Sequence, residues 1–319
     1  MSLKKYKRKG TSAAFHLHLE SFKEINMKIA VLLLTTLVAV NCDLDVRKYL
    51  KQFSYYNPNS FDQSSVSDAL KSFQKTFGLI PTGVADEATT KFMKTPRCGR
   101  PDFKSNAFAD SKWQKTDLTY YFHNYSPDMS QYDQENLMAK AFKFWSDVTP
   151  LRFTKTYGSG DIVISFGQNS HYDGRRTCGY PFDGASGVLA HAFFPPDGRL
   201  HFDDAEHYTK ESTSGTNFLW VATHELGHIL GLEHDTTYND AVMYPYYRAY
   251  TPGMSLHNND IYRIQRQYGS TGTGTGTGGG STCVDENVDC RDWQSNCNGV
   301  SDDWTQYMAT YCKKTCNLC

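Results

Sequence analysis

Residues 221–234 read VATHELGHILGLEH, and this stretch decides which fold the chain adopts. His224 and His228 are four residues apart, so on a helix their imidazoles lie on one face and can bind one metal ion. Glycine takes left-handed conformations at no steric cost, so we expect Gly231 to end the helix and turn the chain back. That turn would bring His234 to the same ion as a third nitrogen ligand.

Three imidazole ligands leave one tetrahedral position of a zinc ion open, which is typical of catalytic rather than structural zinc. Zinc lowers the pKa of its bound water to about 7 and polarises a carbonyl group. Glu225 is placed to act as the general base, taking the water proton and delivering it to a leaving amine. The alternative is an amphipathic helix with surface histidines. The pattern extended by Gly231 and His234 is far more restrictive than a bare His-Glu-x-x-His.

Met243 follows in the segment AVMYP, residues 241–245, where a tight turn would lie beneath the metal. With this turn the chain resembles the metzincins and, more narrowly, the matrix metalloproteinases. The resemblance implies an α+β fold with a mixed twisted sheet and helices, Met243 as a structural residue of the turn, and zinc endopeptidase activity. It also implies that Asp260 pairs with a new N-terminal amine after activation.

The segment TPRCGRPD, residues 95–102, resembles the cysteine switch of matrix metalloproteinase propeptides. A thiolate is a strong zinc ligand, so Cys98 would fill the open position of the catalytic zinc and exclude water. Arg97 and Asp102 are placed to pair with each other and hold the loop. Arg100 stands where the family has an apolar or small residue, a departure that leaves the ligand in place. The alternative is a leftover cysteine in a turn rich in proline and glycine.

Further metal sites are implied by the same resemblance. The ligands of the family's structural zinc match His171, Asp173, His191 and His201. Calcium prefers carboxylate and carbonyl oxygens. Its ligands would be the side chains of Asp183, Asp203 and Glu206 and the carbonyls of Gly184, Ser186 and Val188. For the four zinc ligands, the alternative is that they are polar surface residues. Residues 174–180 lengthen the intervening loop and add Cys178, which has no obvious partner.

Substrate-binding residues follow from the resemblance as well. Leu189 and Ala190 lie in a segment that is similar to the edge strand that pairs antiparallel with an extended peptide. Unpaired amides and carbonyls of such an edge bind main chain irrespective of its sequence. Pro245 and Tyr247 would form the wall of the main pocket. Trp220, one helical turn before the first histidine ligand, would form its floor, and packing into the core behind the helix is the alternative.

The composition excludes some functions. With a formal net charge of -1 over 319 residues, the chain gives no reason to expect a nucleic-acid partner. The apolar run at residues 29–40 is too short to span a bilayer and resembles the core of a secretory signal. Residues 1–42 are therefore predicted to be an N-terminal extension and signal peptide, with Met1 or Met27 as the start. No later run predicts a membrane anchor, so we expect secretion to the extracellular space.

Six of the nine cysteines lie in residues 283–319, after a Gly/Thr linker at residues 270–282. This density indicates a disulfide scaffold in an oxidising compartment, although spacing alone leaves 15 pairings open. The tail resembles a ShKT domain, which implies the pairs Cys283–Cys319, Cys290–Cys312 and Cys297–Cys316. Gln306 and Tyr307 stand where ShKT toxins carry a Lys-Tyr pair, so a pore-blocking role is disfavoured. We expect the tail to bind substrate or matrix.

The remaining segments give the domain order. Apolar residues at helical spacing predict helices at residues 44–55, 66–77 and 87–93, which fits the family's three-helix propeptide. Residues 43–103 are therefore assigned to the inhibitory propeptide and residues 104–269 to the catalytic domain. Within the catalytic domain, strands are predicted at residues 118–122 and 161–166 and a long helix at residues 134–149.

The sequence as a whole predicts a secreted, latent zinc endopeptidase acting on extracellular matrix or other secreted proteins. Zinc and calcium are the expected cofactors. Protein substrates and tissue-inhibitor proteins are the partners that the resemblance implies. A catalytically dead, zinc-bound adhesion module is the competing class. Such a module would be expected to have lost Glu225 or a ligand, and this sequence retains them all.

Overall fold

The computed structural model describes residues 44–57, 65–103 and 111–271, together with five residues of the tail, Cys290, Cys297, Cys312, Thr315 and Cys316. The chain divides into two units, residues 1–46 and residues 47–319. The sheet, the candidate site and the described tail residues all lie in the second unit. Within the described ranges, no helix has both the length and the hydropathy that crossing a bilayer requires.

Three short helices precede the sheet: α1 Val46–Gln52, α2 Val66–Thr76 and α3 Glu87–Met93. The N-terminus of α2 is closed by a capping box, in which Ser65 and Asp68 each accept a hydrogen bond from the other's backbone amide. Asp86 caps α3 by accepting from the amide of Thr89 at 2.8 Å. The three helices that apolar spacing predicts are therefore present, and local capping residues explain where two of them begin.

A six-stranded sheet follows, with the spatial order β1-β5-β6-β4-β2-β3. Its strands are β1 Arg97–Cys98, β2 Asp117–Phe122, β3 Arg152–Lys155, β4 Ile162–Gly167, β5 Val188–Ala192 and β6 Arg199–Asp203. Only β5 and β6 are antiparallel neighbours; the other adjacent strands run parallel. The predicted mixed sheet is confirmed. A separate parallel pair consists of β7 Tyr208–Thr209 and β8 Thr216–Asn217 and lies just before the helix that carries His224 and His228. The sequence did not predict this pair.

Two helices bury one face of the sheet: α4 Gln131–Ser146 and α5 Phe218–Ile229. Every residue of α5 is buried. The fully buried Trp145 connects the two helices, because its indole Nε1 donates to the carbonyl of Thr223 at 3.0 Å. α4 begins at Gln131 rather than at residue 134 because the hydroxyl of Ser130 accepts from the amide of Asp133 and caps the first turn.

The last described helix, α6 Asn258–Tyr268, supports the turn beneath the metal-binding helix. Its buried Asp260 accepts hydrogen bonds from the amides of Val242 and Met243, at 2.8 and 3.2 Å. Tyr262 on the same helix packs against Cys290 and Cys312 of the tail.

The tail contains the disulfides Cys290–Cys312 and Cys297–Cys316, two of the three pairs that the ShKT resemblance implies. The third pair, Cys283–Cys319, lies outside the described residues.

Candidate metal centre

The helix α5 and the turn after it bring three histidines together. The ring centroids of His224 and His228 are 4.9 Å apart on one face of the helix. Gly231 then takes a φ of +98°, and a Cβ there would lie 2.1 Å from the carbonyl oxygen of Ser111. Only glycine fits this left-handed close approach, so the helix ends here and the chain turns back. The turn places the ring of His234 4.7 Å from that of His228.

The hydrogen bonds of the three rings determine where their lone pairs point. Nδ1 of His224 contacts the carbonyl of Val242 at 2.6 Å, and Nδ1 of His228 contacts that of Leu232 at 2.6 Å. Nδ1 of His234 contacts the carboxylate of Asp102 at 3.0 Å. Carbonyl and carboxylate oxygens only accept, so each Nδ1 carries the proton and each Nε2 presents a lone pair to the common centre.

These Nε2 atoms fit a divalent cation. Those of His224 and His234 are buried and have no hydrogen-bond partner among the described residues. Burial lowers the pKa of His224 to about 4 and holds the pKa values of His228 and His234 well below the ordinary value, so the rings are neutral. Neutral imidazoles with convergent, unpaired nitrogens are the ligands that zinc takes from histidine.

Cys98 lies at the fourth corner of this group. The ligand atoms of Cys98, His224, His228 and His234 lie within 4.8 Å of one another, and all four residues are buried. The sulfur is 3.4 Å from Nε2 of His228 and also accepts from the amide of Arg100 at 3.4 Å. The guanidinium of Arg100, the departure from the family pattern, stacks over the ring of Phe194 at 4.0 Å. The donor set of three nitrogens and one sulfur suits tetrahedral zinc.

The segment around Cys98 is held between a strand edge and a loop. On one side, the amides of Arg97 and Gly99 donate to the carbonyls of Gly187 and Ala190, so β1 runs parallel to β5. On the other side, the Cys98 amide donates to the carbonyl of Pro245 at 2.9 Å, and the Tyr247 amide donates to that of Pro96 at 2.9 Å.

The predicted substrate groove therefore contains the chain's own segment 96–99. Of the residues predicted to bind substrate, Ala190, Pro245 and Tyr247 contact this segment through main-chain atoms. Leu189 instead has its side chain in the core and its carbonyl bonded to the hydroxyl of Tyr208 at 2.7 Å.

Arg97 and Asp102 form the predicted pair, and the pair is buried. The Arg97 guanidinium lies 3.6 Å from the ring centroid of Phe53, and it donates to the hydroxyl of Tyr49 at 3.1 Å. The same Asp102 oxygen that meets Arg97 is 3.0 Å from Nδ1 of His234. The propeptide thus supplies the hydrogen-bond acceptor for one of the three histidines, a contact that no sequence pattern predicted.

Glu225 points into the same centre without a hydrogen-bond partner among the described residues. Burial raises the pKa of its carboxyl to about 8, and burial raises the pKa of the Cys98 thiol well above its ordinary value. A cation held by the histidines would lower both pKa values, since a coordinating thiol is deprotonated outright. Met243 packs against the same helix: a Cβ on Gly227 would lie 2.2 Å from its sulfur.

Trp220 borders a cavity of about 440 Å³ beside the histidines. Its indole stacks on His224, with ring centroids 5.4 Å apart, and meets the ring of Tyr247 edge-on at 5.3 Å. Leu219, Val242 and residues of the 248–258 loop line the same cavity. Only 8% of Trp220 is exposed, so the indole is both packed and part of the cavity wall.

A second buried group contains His171, Cys178, His191 and His201, whose ligand atoms also lie within 4.8 Å of one another. The structure departs here from the ligand set implied by resemblance, because Asp173 is not a member of the group. Its carboxylate instead accepts from Arg199 at 3.0 Å and lies 3.0 Å from Nε2 of His201, whereas the other two histidines meet Nδ1 of that ring. Cys178, for which the sequence suggested no partner, takes the fourth place.

The predicted calcium residues lie on one loop and its neighbours. Asp183 accepts from the amide of Val188 at 2.9 Å, Asp203 from that of Gly184 at 3.3 Å, and Glu206 from that of Ser186 at 2.6 Å. Burial raises the pKa values of Asp203 and Glu206. These contacts hold the loop. Neither of the two groups of convergent ligand atoms in the described ranges includes any of the three carboxylates.

Comparisons with known proteins point to the same chemistry. Residues 112–269 match the Matrixin family, Peptidase_M10. Residues 44–93 match the putative peptidoglycan binding domain, and residues 282–319 match the ShK domain-like family.

Individual relatives align with about two thirds of the chain or slightly more. The chain is 41% identical to the hatching enzyme of Paracentrotus lividus, over 70% of this chain and 38% of that protein. It is 44% identical to the macrophage metalloelastase of Rattus norvegicus, over 66% of this chain and 45% of that protein. It is 42% identical to the interstitial collagenase of Oryctolagus cuniculus, over 70% of this chain and 49% of that protein. The chain thus spans less than half the length of each of these relatives.

Proposed function

Through residues 112–269 this chain belongs to the matrixin family of zinc metalloproteinases, and we propose that it is a latent endopeptidase of extracellular proteins. In this proposal residues 43–103 form the inhibitory propeptide, residues 104–269 the catalytic domain, and residues 283–319 an accessory module. Secretion is part of the proposal, supported by the apolar run at residues 29–40 and by the disulfides of the tail.

The observation that carries the proposal is the convergence of three unprotonated Nε2 atoms on one point, with a thiol beside them. Among the described residues, Nε2 of His224 and Nε2 of His234 have no hydrogen-bond partner, and Nε2 of His228 meets the Cys98 sulfur. His224, His228 and His234 would hold zinc, and Cys98 would occupy its fourth position until the propeptide leaves. An adhesion module would have no need of a buried, unpaired carboxylate such as that of Glu225.

The bound zinc supplies a Lewis acid and a water of lowered pKa. Glu225 takes a proton from the attacking water and returns it to the nitrogen of the leaving amine. Its burial removes competing hydrogen bonds, so its carboxylate is free to accept that proton. Asp260 and Met243 act as structural residues that fix the turn beneath the helix.

Substrate would replace the segment 96–99 in the groove. Departure of β1 leaves β5 as an edge strand with unpaired main-chain groups, and these would bind an extended peptide in antiparallel register. The carbonyl of Pro245 and the amide of Tyr247 offer hydrogen bonds on the opposite side. We further propose that calcium bound at Asp183, Asp203 and Glu206 stabilises the loop that leads into β5.

The test compares the intact chain with the chain cut between residues 103 and 111, both loaded with zinc, on a library of quenched peptides. The intact chain should be nearly inactive, the cut chain should be active once residues 43–103 have been removed, and Cys98→Ser should be active without a cut. Removing a general base typically costs about 10²–10⁴-fold in rate, so cut Glu225→Ala should retain its zinc and lose activity by this factor.

Metal analysis of the same samples is the control, because Glu225 is not a ligand and its loss should not release zinc. Cut His234→Ala should instead bind zinc more weakly. If cut Glu225→Ala, verified to contain zinc, cleaves peptides at the wild-type rate, the proposed mechanism is wrong. Equal activity of the intact and cut chains would overturn the proposed latency.

A further inference from the structure

The second buried group, formed by His171, Cys178, His191 and His201, has the geometry of a closed metal site. Nε2 of His171 and Nε2 of His191 lie 2.9 and 3.0 Å from Nδ1 of His201. The sulfur of Cys178 lies 3.4 Å from Nε2 of His191. No more than 6% of any of the four residues is exposed, so water does not separate them.

A hydrogen bond at the edge of the group leaves one of its nitrogens without a proton. Nδ1 of His171 is 2.9 Å from the carbonyl of Asn169, and Nε2 of His201 is 3.0 Å from the carboxylate of Asp173. The carbonyl only accepts, so Nδ1 of His171 is protonated and its Nε2 presents a lone pair to the group. Nε2 of His201 is buried and has no hydrogen-bond partner among the described residues, although the carboxylate lies 3.0 Å away. The lone pair of His171 therefore lies 2.9 Å from Nδ1 of His201, as two ligands of one cation would lie.

The loop between the histidines delivers Cys178 to this point. Tyr172 and Thr177 form an antiparallel bridge, and the amide of Cys178 donates to the carbonyl of His171 at 2.9 Å. This short hairpin turns the chain back so that the cysteine lies beside the first histidine. The amide of Tyr180 then donates to the cysteine sulfur at 3.4 Å, as it would to a thiolate.

Asp173 is fully engaged elsewhere. One carboxylate oxygen accepts from the amides of Arg175 and Arg176, at 2.8 and 2.9 Å. The other accepts from Arg199 at 3.0 Å and lies 3.0 Å from Nε2 of His201. Asp173 is not one of the four residues whose ligand atoms converge, and its contact with Nε2 of His201 suits it to orient that ring.

We propose that this group is a structural zinc site with one thiolate and three imidazole ligands, in which Cys178 is the fourth ligand and Asp173 is a positioning residue. Four protein ligands from nitrogen and sulfur leave no open position, which is typical of zinc that holds a fold together. The ligands come from the hairpin and from β5 and β6, so the ion would fasten the lengthened loop to the sheet. The inference does not depend on proteolysis.

X-ray absorption at the zinc edge distinguishes the two ligand sets, because zinc–sulfur distances are about 2.3 Å and zinc–nitrogen or zinc–oxygen distances about 2.0–2.2 Å. The measurement uses full-length Cys98→Ser protein, because Cys98 is the other free cysteine among the described residues and it lies beside the first metal group. We expect it to bind two zinc ions and to show about one sulfur neighbour for every two zincs. A spectrum without sulfur would overturn the proposal.

Three further variants on the Cys98→Ser background separate the roles of the two residues. Cys178→Asp keeps a charged ligand, so it should retain two zincs but lose the sulfur signal. Asp173→Asn should keep both zincs and the sulfur, with weaker affinity at the second site by about 10–100-fold, as for loss of a partner that orients a ligand. Cys178→Ser should lose the second zinc.

Opposite results contradict the assignment. If Asp173→Asn lost the second zinc while Cys178→Ser kept it, Asp173 would be the ligand. If the folded parent held a single zinc, the facing nitrogens would share a proton rather than an ion. Circular dichroism of each variant guards against misfolding, and the parent spectrum decides the question even if a variant does not fold.

Discussion

Asp102 links the propeptide to the candidate zinc ligands at the scale of single residues. Its carboxylate pairs with the buried Arg97 and also accepts from Nδ1 of His234. Loss of the carboxylate therefore leaves the Arg97 guanidinium without its counter-charge and weakens the contact that orients the His234 ring. Breaking a buried ion pair typically costs about 3–5 kcal/mol. We therefore expect Asp102→Asn to raise the peptide-cleaving activity of the uncut chain by about 100-fold or more, measured against intact wild type.

Glu87→Gln is a matched control, because Glu87 is an exposed acid on α3 of the same propeptide. It should leave the uncut chain inactive. Wild-type latency in a folded Asp102→Asn protein would show that the contact with His234 and Arg97 does not hold the propeptide in place.

Single residues also show what sequence can and cannot predict about the site. The spacing of His224 and His228 follows from helix geometry, so the pair was predictable, and Gly231 marked the turn to His234. Asp173 was assigned by family resemblance, whereas the structure puts Cys178 in the group. The path of a lengthened loop depends on its own hydrogen bonds, here the bridge between Tyr172 and Thr177, and ligand order along the chain does not reveal it.

At the scale of the element, α5 and the turn beneath it fit together only because residue 227 has no side chain. A Cβ at Gly227 would lie 2.2 Å from the sulfur of Met243 and 3.2 Å from the ring of Trp145. Overpacking of a filled core costs roughly 1–3 kcal/mol, so Gly227→Ala should lower the thermal midpoint of unfolding. Calorimetry of the cut, zinc-loaded protein measures the change.

A double-mutant cycle with Met243→Ala shows whether the clash is the cause. If it is, the second substitution should recover part of the loss, with a coupling of roughly 0.5–3 kcal/mol. Strictly additive effects of Gly227→Ala and Met243→Ala would mean that the two elements do not meet as described.

Trp220 sets the depth of the cavity beside α5. Because its indole forms part of the wall of a cavity of about 440 Å³, Trp220→Leu should enlarge the space for the substrate side chain after the scissile bond. We expect the variant to gain cleavage before large aromatic residues, measured as a peptide-library profile against wild type. Coincident profiles in proteins of equal stability would show that the indole packs into the core without limiting the pocket.

Elements were predicted where their own residues carry the signal. The propeptide helices have apolar spacing, and the strands β2 and β4 have apolar runs, so both were found. The short strands β1, β7 and β8 each contain only two residues and have no periodicity to detect. The pairing of β1 with β5 is set by the fit of Cys98 to the histidines, a contact between residues 126 or more positions apart that no local pattern encodes.

At the scale of the whole molecule, the proposed propeptide and the proposed catalytic domain share one sheet. β1 forms one edge of the six-stranded sheet. A second contact is aromatic: the ring centroids of Phe92 in α3 and Tyr246 in the loop after Met243 are 4.5 Å apart. The tail is joined to the same body through Tyr262. We therefore expect the proposed propeptide and catalytic domain to unfold together in the intact chain. The boundaries of both domains stay predictions.

The added strand β1 is in effect an inhibitor tethered to its target by residues 104–110. A short tether gives such a ligand an effective concentration in the millimolar range, so occupancy of the groove does not depend on how dilute the protein is. A single cut in the tether removes this effective concentration and leaves every contact in place. Binding of the inhibitory segment to the groove then becomes bimolecular. Freshly cut protein should therefore stay inhibited when concentrated and gain specific activity on dilution, whereas uncut protein should not respond. Immediate full activity of the concentrated, cut protein would show that cleavage itself destroys the contacts.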